Sequence, residues 1–157
     1  MAIKKLKTYL DDNKIKYVSI IHSQAYTAQQ TAESAHIPGK EMAKTVMVKI
    51  DNELAMLVLP ASEKADLDLV KGAIQANSVQ LASEEEFKDL FPNCETGAMP
   101  PFGNLYELPV YVEESLTRDE NIAFNAGSHT ELIKLSYTDY KRLVKPKVVR
   151  ISTTYTS

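Results

Sequence analysis

The spacing of apolar positions changes several times along this chain, and each change marks an element. Ile3, Leu6 and Leu10 recur at helical spacing with Lys7 beside them, which predicts a short amphipathic helix ending near Asn13. Residues 16–22 are β-rich. Thr27-Ala28-Gln29-Gln30 fits a capping box and predicts a helix to about Ala35, broken by Pro38-Gly39. Two apolar runs, 44–50 and 54–60, flank Asp51-Asn52-Glu53, the pattern of a β-hairpin. Val46 and Val48 on one run and Leu57 and Leu59 on the other leave few polar positions. These strands are therefore either buried on both sides or line a barrel.

A helix is expected over 66–76. Ser83-Glu84-Glu85-Glu86 is a second capping box, opening a helix to about Leu90, and its acids suit the positive end of the helix dipole. Short strands are expected at 108–112, 122–125 and 131–135, the last two joined across Ala126-Gly127-Ser128-His129. Ser136-Tyr137-Thr138-Asp139 caps a short helix, and 147–151 is the last strand. The polar tail 152–157 reads as frayed. No repeat, low-complexity tract or linker interrupts residues 1–157, so the expectation is one domain. The sum is a mixed α/β (α+β) fold around a strand-rich core, without a clean βαβ rhythm.

Composition agrees with that picture. A chain of 157 residues, 44% apolar, suits a single core. No apolar run is long enough to span a bilayer, and the N-terminus lacks the apolar stretch of a signal peptide. Cys94 is the only cysteine, which excludes an internal disulfide and fits a reducing cytoplasm, with intermolecular pairing left open. The net charge of −3 argues against a protein that coats nucleic acid, and no DNA partner is expected. The charge is uneven: residues 1–50 carry eight Lys/Arg against four Asp/Glu, and 51–100 carry three against ten. Lys4, Lys5, Lys7, Lys14 and Lys16 near one end and Lys141, Arg142, Lys145, Lys147 and Arg150 near the other would form a modest basic face if the ends meet.

Candidate chemistry gathers at three places. Gly97-Ala98-Met99-Pro100-Pro101-Phe102-Gly103 sets a proline pair between glycines, a stiff loop whose amides can be aimed at a ligand oxygen. Ala126-Gly127-Ser128-His129 is a second glycine turn. Lys44 opens the strand-like run Lys44-Thr45-Val46-Met47-Val48-Lys49-Ile50. A lysine, an amide loop and a histidine suit a substrate with a phosphate and a carbonyl. There is no Gly-x-Gly-x-x-Gly and no P-loop sequence. His22, His36 and His129 lie at no ligand spacing, so neither a metal nor a cofactor is expected. A nucleophilic Cys94–His129 pair has no local signature. Met47, Met56 and Met99 read as core or pocket filling.

Ala43-Lys44-Thr45, the Gly97-x-x-x-Pro101 loop and Phe124-Asn125-Ala126-Gly127-Ser128-His129, in this order and at these separations, resemble the YbaK and prolyl-tRNA synthetase-associated editing domains. The resemblance runs from about Lys14 to Ile151. It implies a mixed sheet closing toward a barrel with helices packed around it, and aminoacyl-tRNA deacylase activity. It implies that Lys44 holds the phosphate at the acceptor end. It implies that amides of the 97–101 loop, with Ala98, Met99, Pro100 and Pro101, grip the aminoacyl ester or terminal ribose. Thr45, Gly127 and Ser128 would contact substrate, and His129 would stand beside the aminoacyl group. The histidine resembles the alanine-clearing branch more than the branch that clears cysteine from tRNA(Pro). The implied partners are the tRNA acceptor end and, as a candidate, prolyl-tRNA synthetase. The competing expectation is a module that binds a tRNA end or a protein without hydrolysis.

Overall fold

The computed structural model describes residues 2–21, 40–91, 98–128 and 130–154. The helix expected from Thr27 and the Pro38-Gly39 break lie outside the described residues, as do Gly97, His129, Cys94, His22 and His36. Among the described residues the order is α1 (Ala2–Asp12), β1 (Tyr17–Ile21), β2 (Ala43–Ile50), β3 (Glu53–Pro60), β4 (Glu63–Ala65), α2 (Leu67–Ile74), β5 (Val79–Leu81), α3 (Glu84–Phe87), β6 (Val110–Glu113), β7 (Asn121–Asn125), β8 (Glu131–Ser136), α4 (Tyr137–Val144), β9 (Lys147–Val149) and β10 (Ser152–Thr154). Short 3-10 turns stand at Lys88–Leu90, Gly103–Tyr106 and Glu114–Arg118.

The hairpin forms with a tighter turn than its sequence suggested. Ile50 pairs with Glu53, so only Asp51 and Asn52 make the loop, at φ 50° and 71°. Positive φ at both central residues is what a type I′ hairpin turn requires, and Asp and Asn tolerate it. Asp51 Oδ1 also accepts the amides of Asn77 and Ser78, each at 2.9 Å, which seats β5 beside β2. The other boundaries follow their caps. Asp66 accepts the amides of Asp68 and Leu69 at the start of α2, and Ser136 accepts that of Asp139 at the start of α4. Gln75 and Lys145, both left-handed, end those helices. At α3 the Ser83 amide and hydroxyl both reach Glu86 Oε1 at 3.0 Å. Lys49, 2.8 Å from the same carboxylate, and the two Ser83 donors hold the Glu86 carboxyl down to about 2.

Three sheets result. The largest has the order β5-β2-β3-β6-β9, antiparallel on the hairpin side and parallel from β3 through β6 to β9. The second, β1-β8-β7, is antiparallel, and β4 pairs with β10. One parallel bridge, Met42 to Ala123, ties the start of β2 to β7, and the Ala123 amide bonds Glu41 O at 2.9 Å. The fold is thus the expected mixed α+β arrangement, with sheets that close toward each other without forming a complete barrel.

Burial explains why β3 reads as continuously apolar. Met56 and Val58 join Leu6, Leu10, Phe102, Phe124, Ile133 and Tyr140 in the main core. On the other face, Leu57 and Leu59 pack with Val48, Ile151 and Val70 of α2. A third cluster holds Met42, Ala61, Ala123 and Leu132.

The C-terminal segment corrects the sequence reading. The strand expected over 147–151 stops at Val149, and 152–154 is not frayed but pairs with β4. The cause is Glu113, a carboxylate only 4% exposed. Its Oε1 accepts the amides of Ile151 and Ser152 at 2.9 and 3.0 Å, and its Oε2 accepts that of Ser115 at 2.9 Å. Burial pushes the carboxyl up, but these amides outweigh it and hold the group below its usual range.

Candidate active site

Side chains alternate along a strand, so each site residue can be assigned a face from its register. Lys44 pairs with Leu59 and follows Met42 by one alternation, so it shares with both the face turned away from the main core. Thr45 pairs with Val58 and takes the opposite face, toward the main core. The bridge from Met42 to Ala123 carries this face across to β7, and two residues further along each strand stand Lys44 and Asn125. Asn125 pairs with Leu132 and shares the face of Ala123. Sequence reading placed Lys44 in the site but passed over Asn125, although Asn125 stands within the motif it named.

The two glycine motifs meet. The Gly127 amide donates to Ala98 O at 2.9 Å, and Gly127 holds φ 98°, where a Cβ is strained. Beyond it, Ser128 Oγ and Thr130 Oγ1 lie 3.3 Å apart. Ala98, Met99, Pro100 and Pro101 are all buried, and Met99 turns its side chain into the main core. Two contacts make the loop rigid. The Tyr140 hydroxyl donates to Pro101 O at 2.7 Å, and Phe102 packs edge-on against Tyr140 with ring centres 5.4 Å apart. Phe124 lies at the same centroid distance from Phe102. Burial pushes the Tyr140 hydroxyl well above its ordinary value, so it stays a donor.

Gly103 closes the loop for a different reason from Gly127. A Cβ there would meet Val110 Cγ2 at 2.5 Å and Leu108 O at 2.9 Å, so glycine is needed for close approach. Two of the loop's residues are prolines without amides, and the Phe102 amide is already taken by Pro100 O at 2.8 Å. Ala98 and Met99 are thus the described residues of the 97–101 stretch that carry a backbone amide.

Other expected features sit elsewhere. Lys7 pairs with Glu131 at 2.8 Å, while Lys5 reaches Leu105 O and lies 4.6 Å from the centre of the Tyr106 ring. Part of the N-terminal basic set is thus engaged within the chain. A cavity of about 350 Å³ lies at Glu63, Glu113, Glu114, Ser115, Arg118, Arg150 and Ser152. None of the motif residues lines it, and its two inner carboxylates are occupied: Glu63 by the hydroxyls of Ser152 and Ser115, Glu113 by backbone amides. We therefore read that cavity as part of the C-terminal anchor. Among the described residues no group of three or more His, Cys, Asp or Glu side chains could hold a metal ion, and no helix is long and apolar enough to cross a membrane.

Known proteins resemble this chain. A family model, the aminoacyl-tRNA editing domain, matches residues 22–143. The chain is 32% identical over 117 residues to the multifunctional Ser/Thr-tRNA deacylase ProXp-y of Escherichia coli (strain K12), covering 71% of this chain and 70% of that protein. It is 25% identical over 143 residues to the prolyl-tRNA editing protein ProX of Acetoanaerobium sticklandii, covering 87% and 86%. A solved structure described as a trans-editing enzyme for prolyl tRNA synthetase superposes with a TM-score of 0.81 at 17% identity, covering 97% of each chain, which is a likeness of fold. This chain belongs to the aminoacyl-tRNA editing domain family and is an aminoacyl-tRNA deacylase, a hydrolase of the ester that joins amino acid to tRNA.

Proposed function

We propose that this protein acts in trans, in the cytoplasm, on tRNA carrying a wrong small amino acid, with Ala-tRNA(Pro) as its leading substrate. The observation that supports this reading is the 2.9 Å hydrogen bond from the Gly127 amide to Ala98 O, which joins the loop carrying Ala98 to the Gly127 turn. In our reading Lys44 holds the phosphate at the acceptor end. The amides at 97–99 hold the ester carbonyl, with the prolines supplying rigidity rather than donors. Gly127, Ser128 and His129 bound the aminoacyl pocket. Water adds to the ester carbon, the bond to the ribose oxygen breaks, and free amino acid and tRNA leave. An ester is already activated, so an oriented water and carbonyl stabilisation suffice.

The logic is that of a second sieve. A synthetase pocket built for proline rejects a smaller side chain weakly, since a missing methylene is worth only about 1–3 kcal/mol. A pocket too small for proline removes the error. Prolyl-tRNA synthetase is the natural partner for such a division of labour. A second reading, serine or threonine as the aminoacyl group, is favoured by the hydroxyl pair of Ser128 and Thr130 beside the turn and by the similarity to a Ser/Thr-tRNA deacylase. Cys-tRNA(Pro) is the third substrate to compare.

Replacing His129 separates selectivity from bond breaking. The sequence offers it no orienting carboxylate at a recognisable spacing, which suits a wall or donor better than a strong base. His129→Ala is expected to change the ranking of Ala-, Ser-, Thr- and Cys-tRNA in deacylation assays. A uniform loss across all four, with disappearance of a pH–rate inflection near neutrality, would assign His129 to the chemical step instead.

A further inference from the structure

Three side-chain atoms among the described residues are buried without a hydrogen-bond partner: Asp119 Oδ2, Asn125 Oδ1 and Tyr137 Oη. Buried polar atoms are nearly always paired, because an unpaired one gives up its bonds to water for nothing. Such an exception needs a cause. Asn125 is only 7% exposed, and it alone of the three lies in the candidate site. It precedes the Ala126–Gly127 turn, whose glycine amide bonds Ala98 O, and it stands two residues past Ala123, the bridge partner of Met42, as Lys44 stands two residues past Met42. It shares its strand face with the apolar Ala123, and Leu132 stands opposite it on β8.

We propose that Asn125 is a substrate-binding residue whose side-chain carbonyl accepts a hydrogen bond from the α-ammonium of the aminoacyl group. This rests on the deacylase reading above and assigns that site a further requirement: a free amine on the amino acid. A side-chain carbonyl oxygen is an acceptor only. The donors at an aminoacylated acceptor end are the α-ammonium, a ribose hydroxyl and the adenine amine. The ammonium is the charged one, and it lies one carbon from the scissile carbonyl. A charge-assisted bond to a desolvated oxygen is the strongest of the three. Held this way, the substrate presents its ester to the loop amides. An N-acylated chain, as on peptidyl-tRNA, loses the charge and places bulk where the oxygen sits. The enzyme then spares peptidyl-tRNA while clearing mischarged aminoacyl-tRNA.

The test uses binding of a non-hydrolysable mimic, alanine joined by an amide to the 3′ position of adenosine, with its amine free or acetylated. Calorimetry reads the affinities without depending on turnover, and hydrolysis of Ala-tRNA by the wild type checks the deacylase reading separately. Wild-type protein is expected to prefer the free amine by about tenfold or more. Asn125→Leu should bind both forms alike, and its Tm should hold or rise, since an unpaired buried oxygen has been removed. Asn125→Asp, which keeps the acceptor and adds charge, should keep or enlarge the preference and carries the test if the leucine variant does not fold. A leucine variant that retains the wild-type preference, or an aspartate variant that loses it, would overturn the assignment.

Discussion

Lys44→Ala is expected to lower kcat/KM for deacylation by about 10- to 150-fold while leaving Tm close to wild type. A charge-assisted contact to a phosphate is worth roughly 1.5–3 kcal/mol, and each 1.36 kcal/mol is tenfold in rate. The loss should appear mainly in KM if the lysine anchors the acceptor end equally in ground and transition states. Lys44 is only partly buried, and its backbone pairing with Leu59 does not depend on the side chain, so the strand survives the change. Lys44→Arg keeps the charge but replaces a compact ammonium with a planar fork, so a partial recovery is expected. Near-wild-type kcat/KM in the alanine variant would remove Lys44 from the site.

The largest effect on stability is expected from Glu113→Ala. It strips three backbone amides of their acceptor, two of which start the C-terminal strand. Leaving buried donors unsatisfied should cost about 2–4 kcal/mol in all, measured by urea unfolding. The pH dependence follows from the direction of the shift. The folded carboxyl lies below its unfolded value of 4.5. Its stabilisation is therefore present above pH 4.5 and is lost as pH falls through the folded value. Glu113→Gln should show a flatter acid limb in that window. An alanine variant as stable as wild type, or an unchanged acid limb in the glutamine variant, would show that Glu113 does not anchor the C-terminal segment.

Much of the fold was legible because local chemistry decided it. Asp66, Ser83 with Glu86, and Ser136 set helix starts through side-chain bonds to residues two or three positions away, and sequence spacing records such bonds. The Asp51–Asn52 turn is equally local. The segments that escaped notice are three residues long, too short for a period: β4, β5 and β10. Each depends on a distant partner. Glu113 reaches Ile151 across 38 positions, which no pattern reports, so the polar tail read as frayed. The parallel order β3-β6-β9 was hidden for the same reason, since no regular βαβ rhythm joins those strands.

The site divides along the same line. Its glycine motifs and Lys44 stood out through residue types and a family resemblance. That the Gly127 amide is spent on Ala98 O follows only from three dimensions. So does the separation of Lys44 and Thr45 onto opposite faces. Asn125 shows the limit most clearly: an asparagine in a strand next to a turn is unremarkable until its oxygen is found buried without a partner.

The most direct measurement is hydrolysis of matched substrates by the purified wild-type protein: Ala-tRNA(Pro) and Pro-tRNA(Pro), prepared on the same tRNA and followed by loss of labelled amino acid. Alanine is expected to be released well above the spontaneous rate, with proline lost only at the rate of the enzyme-free control. Comparable release of both, or none of alanine, would contradict it.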